Sequence, residues 1–153
     1  MQKLSPTLFQ VISTDYLAQN FFVMIFGGWA IYFIDALFTG GYTTFLLIFA
    51  AVCTPIGLGT FYWRYTLITS TFVHGTEIPG QVVEIEVIPT GKQRRDYIIH
   101  YEYRYQGELY RARNRVKTTN FAKSLRRGQS VALLLNESKP QVAFIKDLYI
   151  EFL

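Results

Sequence analysis

Two apolar stretches, residues 17–38 and 43–68, fill the first half of the chain and are parted only by residues 39–42. Each is longer than the roughly 20 residues an α-helix needs to cross a hydrocarbon core. Residues 17–63 carry a single charge, Asp35, and Arg64 is the only charge in the second stretch. A helix apolar on every face for this length has no stripe to offer water. The connector allows only a tight reversal about Gly40 and Gly41, so the pattern predicts a two-helix transmembrane hairpin. Ahead of it, Ser5-Pro6 reads as an N-cap followed by a first-turn proline. Leu8, Phe9, Val11, Ile12 and Tyr16 follow at helical spacing, which predicts either a short interfacial helix within residues 1–16 or, equally, a continuation of the first transmembrane helix.

After a linker, residues 69–79, the period changes from helical to two. Residues 80–88 alternate Val83, Ile85 and Val87 with Glu84 and Glu86. A charged loop, Lys92 to Asp96, leads to residues 97–105, with Tyr97, Ile99, Tyr101, Tyr103 and Tyr105 on one face and Ile98, His100, Glu102 and Arg104 on the other. Gln106-Gly107 is a two-residue turn that accepts positive φ. It sets Tyr103 opposite Tyr110, Tyr101 opposite Ala112, Glu102 opposite Arg111 and His100 opposite Arg113. A short helix over residues 120–127, a strand over 130–135, and final strands over 142–146 and 149–153 complete the expectation. The predicted class is a membrane protein, α+β: a transmembrane hairpin followed by a small antiparallel β-domain, residues 80–153, barrel-like or a two-layer sheet.

Folding the apolar half about Gly40 and Gly41 pairs positions whose numbers sum to about 81. Arg64 then lies near Asp15, which suggests an interfacial ion pair. Gly27 and Gly28 come opposite Cys53, Thr54 and Pro55, where small residues permit the close approach that holds helices together in lipid. Gly27, Gly28, Asp35 and Pro55 are therefore candidate helix-packing or partner contacts. Asp35 lies about one turn from Gly40, so the reading that suits it best is a solvated or turn-capping acid.

Charge orients the hairpin. The turn carries no Lys or Arg, whereas Lys3 and Arg64 flank the other end and the segment beyond Arg64 has 13 Lys/Arg against nine Asp/Glu. The positive-inside bias puts both termini and the β-domain in the cytoplasm. Tyr16, Tyr62, Trp63 and Tyr65 would anchor one interface, and Phe38 and Tyr42 the other. Lys117, Lys123, Arg126 and Arg127 form a basic cluster suited to anionic lipid. Nucleic acid is not expected as a partner, because the tyrosines alternate away from the arginines onto the face to be buried. His74 and His100 stand far apart, with no Cys or His at ligand spacing. No catalytic or phosphate-binding motif occurs, so no cofactor, metal or enzymatic activity is expected. The single cysteine, Cys53, lies inside the second apolar stretch.

A family resemblance rests on the β half: Gly80-Gln-Val-Val, then Tyr101-Glu-Tyr-Arg-Tyr-Gln-Gly-Glu-Leu-Tyr110, then Gly128-Gln-Ser-Val-Ala-Leu-Leu-Leu-Asn-Glu-Ser-Lys-Pro140. These segments resemble domain of unknown function family 3592, found beside hydrophobic helices in bacterial membrane proteins. Gln129 stands where that pattern has Asp, and residues 136–140 keep only its final proline. The resemblance implies the fold and a bacterial cytoplasmic-membrane setting, and transfers no catalytic residue. The expected function is a membrane-anchored interaction or assembly module whose partners are the lipid bilayer and another membrane protein or a second copy. The alternative is an accessory subunit of a membrane transporter or membrane enzyme complex.

Overall fold

A computed structural model of the chain describes residues 5–41, 43–90 and 95–150. Expectations placed on Lys3, on Tyr42, on the first three residues of the loop from Lys92, and on residues 151–153 lie outside them. The elements are α1 (Leu8–Thr14), α2 (Tyr16–Thr39), α3 (Thr44–His74), β1 (Thr76–Pro89), β2 (Arg95–Tyr105), β3 (Glu108–Lys117), α4 (Asn120–Ser124), β4 (Ser130–Leu135), β5 (Ala143–Ile145) and α5 (Asp147–Ile150). The class is the expected one, two long apolar helices followed by an antiparallel β-domain.

Both α2 and α3 are long and apolar enough to cross a membrane, and most of their side chains are unburied. A helix whose exposed face is Phe, Leu, Ile and Val needs an apolar solvent, so the pair has the surface of a membrane hairpin. At 1.5 Å per residue, the 31-residue α3 is about 46 Å long, roughly half as long again as a hydrocarbon core. Its surplus lies beyond Arg64. There Ile68, Thr71 and Phe72 are buried against the β-domain, and only Gly75 separates α3 from β1. The expected linker, residues 69–79, is therefore the last turns of α3 and the start of β1. Gly75 permits this abrupt junction because a Cβ there would overlap the carbonyls of Thr71 and Leu135.

The turn closes as its glycines dictate: Gly40 caps α2 in the left-handed region at φ 66°. The first cap differs from expectation. Thr7, two residues after Ser5, accepts from Gln10 N, and Gln10 Oε1 accepts from Thr7 N at 2.7 Å, a reciprocal capping box.

The five strands run in the order β3-β2-β1-β4-β5, all antiparallel. The β2–β3 register is the one read from Gln106-Gly107, with Tyr103 opposite Tyr110 and His100 opposite Arg113. One expectation about β1 fails. A bulge between Val82 and Glu84 shifts the pleat, so Val82 is buried while Val83 is half-buried and Val87 is exposed. The bulge lets Gly80 and Val82 on one side of it, and Ile85 on the other, all face Tyr103, Tyr101 and Ile99. Gly80 is required: a Cβ would run into Leu133.

The sheet curls until its ends nearly meet. Tyr101 lies with its hydroxyl 2.6 Å from Ala143 O and 2.7 Å from Asn114 Oδ1, and Asn114 Oδ1 also accepts from Ile145 N. These contacts tie β3 to β5 through the core. The last expected strand is corrected: residues 147–150 form α5, which turns Leu148 and Tyr149 inward to cover the open end of the curl. Phe72 and Phe144 each meet the Tyr149 ring edge-on, at 5.5 and 5.8 Å between centroids. One hydrophobic core thus runs from Ile25 and Phe61 of the hairpin, through Ile68 and Phe72, to the strands.

Candidate functional site

Asp15 is where the two halves are joined. It stands between α1 and α2 with extended backbone, φ −83° and ψ 118°, and ends one helix while capping the next by accepting from Ala18 N at 2.9 Å. The same extended backbone forms an isolated antiparallel bridge to Val116 of β3. Its side chain, 2% exposed, accepts from Arg64 Nη2 at 2.7 Å and Nε at 3.2 Å, and from the Tyr149 hydroxyl at 3.0 Å. One carboxylate therefore connects both hairpin helices with α5. Such a cluster is favourable only when the buried acid has its acceptors filled, as here. Arg64 also lies over the Phe144 ring at 5.2 Å. Burial, and then the negative charge of Asp15, push the Tyr149 phenol well above its ordinary value.

The Asp15–Arg64 contact is the ion pair suggested by the hairpin arithmetic. That Tyr149 and Val116 join it is not legible from spacing, because neither neighbours Asp15 in the chain and both lie on elements of the other half.

Close to Asp15, the outer face of β2 and β3 turns towards the start of α2. Asp96, 1% exposed, accepts from Arg115 Nη2 at 3.0 Å and lies 3.8 Å from Lys117 Nζ. The Arg115 guanidinium carbon lies over the Tyr16 ring, 3.5 Å from its centroid, with Lys117 Nζ at 5.6 Å. Asp15, Tyr16, Leu17, Arg64, Ile98, Arg113 and Arg115 line a crevice of about 340 Å³.

The expected basic cluster is thereby divided. Lys117 belongs to the Asp96–Tyr16 group. Lys123 lies in the last turn of α4, and Arg126 and Arg127 occupy an exposed turn that docks on β1 by a 2.7 Å hydrogen bond from Gly128 N to Val82 O. These three form no ion pair among the described residues. Elsewhere on the outer face Glu102 holds Arg111 at 2.6 Å and Glu86 lies 2.8 Å from His100.

Within the hairpin, Gly28 and Gly57 are the points of closest approach. A Cβ on Gly28 would lie 3.0 Å from Ala50 Cα, and one on Gly57 would lie 3.1 Å from Phe21 O. Trp29 Nε1 donates to Thr54 Oγ1 at 2.8 Å across the same interface. Gly27 meets only Val23 of its own helix, and Pro55 is exposed, so neither touches the other helix closely. Asp35 Oδ2 accepts from the Thr43 hydroxyl at 2.6 Å and so spans the turn. Among the described residues, no three His, Cys, Asp or Glu side chains come together in a way that could hold a metal ion.

No curated protein and no solved structure is significantly similar to the chain. Residues 78–148 match the model of the family described as Domain of unknown function (DUF3592), so the similarity to that family lies in the β-domain.

Proposed function

We propose that the chain is a two-pass membrane anchor holding its β-domain rigidly against the cytoplasmic face of a bacterial cytoplasmic membrane, as an interaction or assembly module without catalysis of its own. The observation that carries this reading is the continuous core joining hairpin and β-domain. A single residue between α3 and β1, and a buried carboxylate that bonds α2, α3 and α5, argue against a domain free to swing. A domain that captures mobile substrates gains reach from a flexible tether. A domain locked in height and orientation suits docking to something equally fixed, such as a second membrane protein or another copy.

Spacing supports the transmembrane placement. Asp15 and Arg64 mark one end of the hairpin and Asp35 with Thr43 the other, each pair of levels about 20 residues or 30 Å apart. Exposed Tyr62 and Trp63 sit beside the first level and exposed Phe38 near the second, as interfacial aromatics do. The cytoplasmic orientation follows from the basic excess beyond Arg64 and the uncharged turn.

The test is site-specific photo-crosslinking in native membranes from the exposed apolar positions Val87 and Leu109 of the β-domain. A discrete protein adduct is expected, and it should be lost when a flexible Gly/Ser insert after Gly75 frees the domain. Absence of any adduct, or one indifferent to the insert, would contradict a rigidly presented module.

A further inference from the structure

The crevice beside Asp15 has more positive charge than its own acids use. Arg64 is spent on Asp15, and Arg115 gives one Nη2 hydrogen bond to Asp96. Arg115 Nε is buried and has no acceptor among the described residues. Arg113, exposed on the crevice wall, has no hydrogen bond or ion pair among them either. Three guanidinium groups, with Lys117 Nζ 5.6 Å from the Tyr16 ring centre, thus stand against the carboxylates of Asp15 and Asp96, an excess of about two charges. Guanidinium forks match the oxygens of a phosphate, and stacking on Tyr16 fixes the orientation of one fork in advance.

The apolar part of the lining indicates where the phosphate comes from. Leu17 opens the apolar run of α2 and is 43% exposed, and Ile98 lies across from it on β2. A ligand with a phosphate and adjoining hydrocarbon would satisfy both parts of the lining, and the crevice lies at the level where the apolar span ends. We infer that this crevice is a binding site for one anionic phosphate group, supplied by the headgroup of a membrane phospholipid, with Arg113 and Arg115 as the principal ligands. The lipid source rests on the transmembrane reading given above, whereas recognition of phosphate by the arginines does not.

The site differs from the Lys123, Arg126 and Arg127 surface. That surface is an exposed, solvated patch, whereas the crevice is a concave site with a stacked guanidinium and an unfilled donor. Basic residues on an open surface attract any anionic bilayer in proportion to its charge, while a concave site should retain one lipid through detergent extraction.

The full chain in mild detergent, titrated with phosphatidylglycerol or phosphatidylcholine and read by native mass spectrometry, tests this directly. One phosphatidylglycerol should be retained in preference to phosphatidylcholine. Arg113→Gln removes an unpaired cation, and should weaken retention by about five- to tenfold. Arg113→Lys should restore part of it, and Lys123→Gln with Arg126→Gln and Arg127→Gln should leave it unchanged. Equal retention of both lipids, or indifference to Arg113→Gln, would overturn the site. Displacement by millimolar inorganic phosphate would assign the arginines to free phosphate and overturn the lipid source. Release of the chain from membranes by alkaline carbonate would refute the transmembrane reading separately, since the titration in detergent reports on the arginines regardless.

Discussion

Replacing Asp15 by Asn removes the charge that joins the two halves while changing little else. Asn is as good an N-cap as Asp, so the hydrogen bond from Ala18 N to Oδ1 survives, while the amide nitrogen that replaces Oδ2 can donate to the Tyr149 hydroxyl. What is lost is the counter-charge of Arg64, whose side chain is only 14% exposed. Breaking one side of a buried ion pair costs about 3–5 kcal/mol, and the surviving hydrogen bonds place Asp15→Asn near the lower figure. At about 2–4 °C per kcal/mol for a chain of this size, the melting temperature should fall by roughly 6–12 °C. Thermal unfolding in detergent, followed by circular dichroism, would measure it. Adding Arg64→Met should return most of the loss, because the unpaired cation goes and an apolar side chain takes its place beside Phe144. A fall below about 2 °C, or no recovery in the double variant, would refute the idea that this pair locks hairpin to β-domain.

Two further outcomes follow from named contacts. Gly28→Ala and Gly57→Ala should each destabilise by about 1–3 kcal/mol, since the new methyl meets backbone of the opposite helix, whereas Gly27→Ala and Gly59→Ala meet nothing there and should be neutral or mildly stabilising; equal melting of all four would remove the close-packing argument. Burial pushes the phenols of Tyr101 and Tyr149 well above their ordinary value, and burial with the neighbouring Tyr110 raises Tyr103 to about 12. A phenol that holds its proton more tightly when folded stabilises fully below the unfolded value near 10 and loses that contribution as pH rises through the folded one. Stability should therefore drop between pH 10 and 12, with Tyr101 and Tyr149 ionising only on unfolding; spectrophotometric titration showing all 11 tyrosines ionising near pH 10 in the folded chain would contradict this.

The features legible in the sequence are those that local chemistry decides. Gly40 fixes the hairpin reversal and Gln106-Gly107 the β2–β3 register, so Asp15–Arg64 and Tyr103–Tyr110 could be paired by counting. The features that escaped are set by contacts distant in the chain. The linker read over residues 69–79, where the apolar run has ended, begins inside α3, because Thr71 and Phe72 are held there by burial against the β-domain. The bulge at Val83 has no glycine to mark it, and it sets buried Val82 and half-buried Ile85 opposite Tyr101 and Ile99 of β2. Residues 147–150 contain the strand formers Tyr149 and Ile150, but covering the open end of the curled sheet turns them into α5. The arginine crevice escaped for the same reason: alternation only puts Arg113 and Arg115 on one face of β3, and it is the fold that places Tyr16 and Leu17 beside them.

Two cysteines introduced singly in a Cys53→Ala background, Gly41→Cys at the turn and Leu109→Cys on the β2–β3 hairpin, test the central claim most directly. An impermeant thiol reagent should label Gly41→Cys only from the outer side of sealed membranes and Leu109→Cys only from the cytoplasmic side. Labelling of both from the same side would contradict a hairpin that spans the membrane and seats the β-domain on its cytoplasmic face.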